Sequence, residues 1–212
     1  MSKVRVMIVD DQSISRQLFE MYVKSSERYE LAFSIASAAV ADVYILKNKV
    51  DLILMDILMN DGSNGLEAAR QIKQRNPRIK IIAVTSMPER SWMEKAKEIG
   101  VDSFWYKETD EKTILEVMDR TMNGESVYPD RAPTVNLGYA TSADFTEREL
   151  EVLRIITTGA SNAQVAAQLG ISEYTVKSHV RSMLDKTGYR SRTELAIKAR
   201  VIGLAISHED LT

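Results

Sequence analysis

Five short runs of β-branched and apolar residues recur through the first 124 positions, separated by stretches whose apolar residues return at helical spacing. The runs are VRVMIV (4–9), YELAFSIA (29–36), DLILM (51–55), KIIAVT (80–85) and DSFWY (102–106). Helical patterns cover 13–26, 38–49, 65–75, 88–99 and 110–124. This alternation leaves few choices, because successive strand–helix units build a parallel sheet with helices over both faces. A run such as LILM, apolar at every position, suits a strand buried on both sides. The spacing predicts an α/β domain with a doubly wound sheet of five parallel strands.

In an open sheet of this kind, ligands sit beyond the carboxyl ends of the strands. The first strand ends at Asp10-Asp11, the third at Asp56, the fourth at Thr85 and the fifth just before Lys107. With the strand order 2-1-3-4-5, strands one, three, four and five are consecutive neighbours and these side chains converge. An aspartate at a strand end often only turns the chain. Three carboxylates at one edge are another matter, since two unit charges ~4 Å apart repel by roughly 4 kcal/mol at an effective dielectric of 20. A cation relieves that repulsion, and an oxygen-only set favours a hard ion such as Mg²⁺, which keeps several waters and pairs with phosphate oxygens. Asp10 and Asp11 are the metal-side candidates. Asp56 offers both a ligand oxygen and a nucleophile able to take a phosphoryl group. Lys107 supplies a fixed positive charge to phosphoryl oxygens and Thr85 a hydroxyl donor.

An enzyme reading competes with this one. Mg²⁺-dependent phosphohydrolases with an aspartate nucleophile place nucleophile and acid two residues apart on the first strand, whereas here the first-strand pair is adjacent and the nucleophile candidate lies on strand three. The chain is therefore read as a regulator, not an enzyme. It has no cysteine, which excludes disulfides and thiolate metal sites and fits a reducing compartment. No apolar run approaches the ~18 residues of a membrane span. A cytoplasmic location is the expectation.

The formal net charge of −2 conceals an asymmetry. Residues 1–125 hold eighteen basic and twenty acidic side chains, while 172–200 hold seven basic against three acidic. Between the halves, SVYPDRAPTVNLGYATSAD (126–144) carries two prolines and no sustained period, and reads as a linker. Beyond it the pattern is helical throughout. Thr146–Glu149, Ser161–Gln164 and Ser191–Glu194 have capping-box spacing, Ser172 is a further N-cap, and Gly159, Gly170 and Gly188 fall where helices should end. The expectation is an all-α, four-helix domain at 145–212 after a first domain at 1–125.

Helices near 161–168 and 173–187, joined by a turn at Gly170-Ile171, form the two-helix unit whose second member enters a major groove. On that second helix Val176, Val180, Met183 and Leu184 recur at core spacing. Lys177, Ser178 and Arg181 then face outward near the helix start, where side chains reach base edges and Lys or Arg pairs with guanine. Thr175, Lys186, Arg190 and Arg192 are the candidates for phosphate contacts, which set register. His179 is read as a packed or phosphate-facing side chain with no metal-ligand or catalytic role, and Trp92, Trp105 and Tyr106 as packing or interface surface.

These residues carry two resemblances. VDDQ, MD, VTS and FWYK at the ends of strands one, three, four and five resemble the receiver domain of two-component response regulators over 1–124. The ERE, SN, ISEYTVKSHV and RSRTEL blocks resemble the LuxR-type helix-turn-helix of NarL-like regulators over 145–203. The resemblance implies that Asp56 accepts a phosphoryl group from a sensor histidine kinase, with Mg²⁺ held by Asp10, Asp11, Asp56 and the Leu58 backbone carbonyl. It also implies Thr85 and Lys107 as phosphate contacts, Phe104 as a switch, and dimerisation onto paired promoter half-sites of double-stranded DNA. Control by protein contact without phosphorylation is the alternative. Two family prolines are replaced by Asn60 and Glu108, which leaves the Lys107–Glu108 peptide isomer open. The NDGSNG loop is one residue longer than the common form, and apolar Leu58 near the water path predicts slow phosphoryl loss.

Overall fold

The computed structural model describes residues 2–59, 61–86, 88, 90–107 and 113–204, in two compact units that divide after Arg131. The first unit holds β1 (Val4–Val9), β2 (Tyr29–Ile35), β3 (Leu52–Asp56), β4 (Lys80–Thr85) and β5 (Ser103–Tyr106). They form one sheet in the order β2-β1-β3-β4-β5, every pair parallel. The expected order is the observed one.

Helices α1 (Ser13–Ser25), α2 (Ala41–Lys47), α3 (Gly65–Arg75), α4 (Arg90–Ile99) and α5 (Ile114–Met122) alternate with the strands. Every residue of β3 is buried, as a strand between two helical layers requires. Val6, Ile8, Leu52, Leu54, Ile82 and Val84 share one core with Phe19, Val23, Val117 and Met118 of α1 and α5. The alternate residues Met7, Ile53 and Ile81 are equally buried on the opposite face. Trp92, Trp105 and Tyr106 are all core residues, with at most 7% of their surface exposed. The helical pattern read over 38–49 divides into a 3₁₀ turn at Ala38–Val40 and the shorter α2.

The division between the units falls inside 126–144, the stretch read as a linker, and residues at both of its ends are packed. Val127 is buried, its N–H donates to Ser103 Oγ and its carbonyl accepts from Phe104 N–H, while the Tyr128 hydroxyl donates to Val101 O. These residues complete the first unit. The second unit begins with a small hairpin, β6 (Asn136–Leu137) and β7 (Ala140–Thr141), that buries Leu137 and Ala140 in the helical core. Two prolines broke the helical period but did not prevent packing, because apolar side chains before and after them had somewhere to go.

Four helices follow: α6 (Glu147–Ile156), α7 (Asn162–Leu169), α8 (Glu173–Thr187) and α9 (Arg192–Val201). The capping boxes at Thr146–Glu149 and Ser161–Gln164 are reciprocal. The third is only half formed: Ser191 caps Glu194 N–H, but the Glu194 carboxylate accepts from Arg190 N–H, one residue before the cap. Gly170 and Gly188 adopt the left-handed conformation at the ends of α7 and α8. Among the described residues, no helix is long and apolar enough to cross a membrane.

Candidate functional site

At the carboxyl ends of β1 and β3, the side chains of Asp10, Asp11 and Asp56 each offer an oxygen within 4.8 Å of the other two. Asp10 and Asp56 are 1% and 4% exposed, so two of these charges are withdrawn from water. The sheet order brings them together: Asp56 follows Met55, whose register partner on β1 is Val9, the residue before Asp10. Thr85, 1% exposed, ends β4, and its carbonyl accepts from Lys107 N–H at 2.9 Å.

Lys107 ties the cluster together. Its ammonium lies 2.7 Å from Asp10 Oδ2 and 2.8 Å from Asp56 Oδ2, with 8% of the side chain exposed. The second Asp56 oxygen accepts from Ile57 N–H at 2.8 Å. Burial pushes the Asp56 carboxyl up to about 6; Lys107 opposes this and the Asp10 charge adds to it. For Lys107, burial favours losing the proton, but the facing Asp56 and Asp10 carboxylates outweigh it and hold the proton more tightly than usual. Three carboxylates and one ammonium leave a double negative charge, which a hard divalent cation such as Mg²⁺ matches in charge and in its preference for oxygen.

Several contributors were missed in the sequence. The Ser15 hydroxyl donates to Asp10 Oδ2 at 2.6 Å, Gln12 N–H to Asp10 Oδ1 at 2.9 Å, and the Arg16 guanidinium to the Asp10 carbonyl at 2.7 Å. The signal was a hydroxyl and a guanidinium one helical turn into α1, directly after the acidic pair. Gly65 was also passed over. A Cβ built there would lie 1.8 Å from the Asp56 carbonyl oxygen, so α3 starts this close to the phosphoacceptor candidate only because no side chain intervenes.

Leu58, half-buried, pairs as an antiparallel bridge with Asn64, whose side chain caps α3. Phe104 is fully buried, its ring edge-on to Tyr106 with centroids 5.0 Å apart and stacked with Tyr128 at 6.1 Å. A switch at Phe104 must therefore disturb both tyrosines. Asn60, Glu108 and the Lys107–Glu108 peptide lie outside the described residues.

In the second unit, α7 and α8 meet across Gly170 and Ile171. Val176, Val180 and Met183 are buried, Leu184 is partly buried against the same core, and Lys177, Ser178 and Arg181 are exposed, as expected. Tyr174, 82% exposed, extends that outer stripe by one position toward the helix start.

Three of the four phosphate-contact candidates have partners within the domain. Lys186 donates to both Glu149 oxygens at 2.9 and 2.7 Å and to the Asp144 carbonyl at 2.9 Å, so it is held by α6 and the turn that precedes it. Arg192 donates to Ala160 O and Asn162 Oδ1, joining α9 to the start of α7. The Thr175 hydroxyl lies 2.8 Å from Ser172 Oγ, within the helix cap. Arg190 is exposed. Basic residues that anchor helices to one another look, in a sequence, the same as those left for a polyanion.

Comparison with known proteins matches residues 6–119 to the response regulator receiver domain and residues 143–199 to bacterial regulatory proteins of the luxR family. The chain is 35% identical over 201 residues to response regulator protein VraR of Staphylococcus aureus (strain NCTC 8325 / PS 47), covering 92% of this chain and 96% of that one. It shares its fold with RcsB from Salmonella enterica serovar Typhimurium bound to promoter P1flhDC in the presence of phosphomimetic BeF3−, with a TM-score of 0.64 at 16% identity and all of both chains covered. A similar likeness holds for response regulator ChrA of a heme-sensing two-component system, with a TM-score of 0.51 at 23% identity, over 96% of this chain and 100% of that one. The chain belongs to the two-component response regulators, with a receiver domain and a LuxR-type helix-turn-helix DNA-binding domain.

Proposed function

We propose that this regulator is switched by phosphorylation of Asp56. The observation that carries the reading is Lys107 bridging Asp56 and Asp10 in a buried cluster where three carboxylates meet. Asp10, Asp11, Asp56 and the Leu58 carbonyl would hold Mg²⁺, which when bound neutralises charge on the carboxylates and on the phosphoryl oxygens. An Asp56 oxygen attacks the phosphorus of a phosphohistidine on a sensor kinase. The P–N bond breaks, its electron pair leaves with the imidazole, and the imidazole takes up a proton. Lys107 keeps its charge beside the incoming phosphoryl oxygens, and Thr85 offers its hydroxyl from the adjacent strand end.

A phosphoryl group adds roughly −1.5 to −2 charge and three acceptor oxygens. Thr85 moving toward those oxygens disturbs the neighbouring Phe104, Tyr106 and Tyr128 rings and repacks the α4–β5–α5 face. Dimerisation follows, through that face or one built from α1 and α5, and places two α8 helices on paired promoter half-sites of double-stranded DNA. Moving a population from 1:99 to 99:1 takes ~5.5 kcal/mol of differential stabilisation, so phosphoryl and dimer contacts both contribute. The protein works in the cytoplasm as a regulated binder, not as an enzyme. A relative bound to promoter DNA with a phosphomimetic supports this reading.

Incubation with acetyl phosphate and Mg²⁺ tests it. The expected result is a mass gain of one phosphoryl group and tighter promoter binding in wild type, with neither in Asp56→Ala. Identical responses of the two proteins overturn it.

A further inference from the structure

We propose that Tyr174 is a specificity-determining residue of the DNA interface, its ring reading the 5-methyl group of a thymine in the major groove. The inference rests on α8 being the helix that enters DNA. On α8, Tyr174, Lys177, Ser178 and Arg181 follow one another at intervals of three, one and three residues, which puts all four on one exposed stripe opposite buried Val176, Val180 and Met183. Helix-turn-helix proteins present the N-terminal residues of the second helix to base edges, and Tyr174 is the second residue of α8.

The other groups at that helix start are engaged or unsuited. Ser172 caps the helix through Thr175 N–H, and the two hydroxyls lie 2.8 Å apart. Glu173 is exposed and negative, and is repelled by phosphates. Tyr174 is 82% exposed and brings the one large apolar surface of the stripe. At the stripe's other end Asp185 is exposed, so the part favourable to DNA runs from Tyr174 to Arg181.

The chemistry of the bases then selects the partner. Lys177 and Arg181 match the acceptors of guanine, whereas Tyr174 could meet them only through its hydroxyl, which Tyr174→Phe removes. Thymine is the base that shows an apolar group in the major groove, and that methyl is the complement of a ring edge.

Selection from a randomised duplex library with full-length protein and phosphodonor tests the assignment. Wild type is expected to select a thymine at one position of each half-site. Tyr174→Ala is expected to lose that preference and keep the others, while Tyr174→Phe, with the ring intact, keeps it. Replacing that thymine by uracil in the selected site should weaken wild type about fourfold, equivalent to ~0.8 kcal/mol for one buried methyl-sized group, and leave Tyr174→Ala unaffected. Circular dichroism and melting of both variants should match wild type.

An unchanged consensus in Tyr174→Ala overturns the inference. Equal, sequence-independent losses in Tyr174→Ala and Tyr174→Phe also overturn it, since they mark a hydroxyl on a phosphate. A wild type that selects no consensus removes the DNA-reading role of α8, and this inference with it.

Discussion

The Lys186 ammonium lies 2.7 Å from Oε2 and 2.9 Å from Oε1 of Glu149, clamping the C-terminal half of α8 to the first turn of α6. Glu149 is 3% exposed and also accepts from Ser182 and from Thr146 N–H. Removing one partner leaves a buried charge uncompensated. Glu149→Ala and Lys186→Ala should each cost about 2 to 3 kcal/mol in urea denaturation, below the usual figure for a buried pair because Lys186 keeps 31% of its side chain exposed. Losses under about 0.5 kcal/mol, the range of an ordinary surface substitution, would show that the clamp does little.

The same carboxylate gives the second domain an acid limit. Burial works to raise Glu149, but Lys186, Thr146 N–H and Ser182 outweigh it and hold the carboxyl down at about 2, against an ordinary 4.5. A lowered folded-state value means the stabilisation is complete above pH ~4.5 and is lost as the pH falls toward 2. Its size is roughly 3 kcal/mol at neutral pH. Melting followed between those limits should show the loss in wild type, and a smaller one in Glu149→Gln, which has no charge to titrate.

Gly65 sets a steric condition on Asp56, the proposed phosphoacceptor. An alanine Cβ would meet the Asp56 carbonyl oxygen at 1.8 Å, and the Gly65 N–H already donates to Ile57 O at 2.8 Å, so the backbone on both sides must shift. Gly65→Ala should destabilise the first domain by about 1 to 3 kcal/mol. It should also slow acetyl-phosphate labelling of Asp56, measured by intact mass. Labelling at the wild-type rate would show that the site tolerates the shift.

The net double negative charge of the acidic cluster predicts stabilisation by divalent cation. Mg²⁺ at ten times its Kd should stabilise the receiver by ~1.4 kcal/mol, which raises its Tm by a few degrees. Chelation should reverse the shift, and Asp11→Asn should diminish it. A Tm indifferent to Mg²⁺ in wild type would show that the cluster holds no ion, and equal shifts in both proteins would place the ion elsewhere.

DNA binding should sort the basic residues by their structural roles. Lys177→Ala is expected to weaken a selected site by about 1 to 3 kcal/mol more than a random duplex. Arg190→Ala should weaken both alike and lower the salt slope by about one charge. Lys186→Ala should leave that slope unchanged. Binding titrations over a range of salt concentrations distinguish the three.

Much of this protein was legible in the order of its residues. Periodicity separates strands that repeat every two residues from helices that repeat every 3.6, and five strand–helix units admit essentially one sheet architecture. Chain order also put Asp10, Asp56, Thr85 and Lys107 at strand ends, and adjacency within the sheet made their convergence necessary. Two capping boxes formed as their spacing required, because the interactions are local to one turn.

What the tertiary structure decided was the partner of each long or polar side chain. Lys186 and Arg190 look alike in the sequence, yet one neutralises a buried glutamate 37 residues away and the other faces solvent. The segment after α5 looked like a spacer until Val127 found Ser103 and Leu137 found the helical core. Close approach at Gly65 and enclosure of Phe104 by two tyrosines are likewise invisible in one dimension. Local order follows from neighbours in the chain, whereas packing and charge pairing are settled by which distant atoms arrive at the same place.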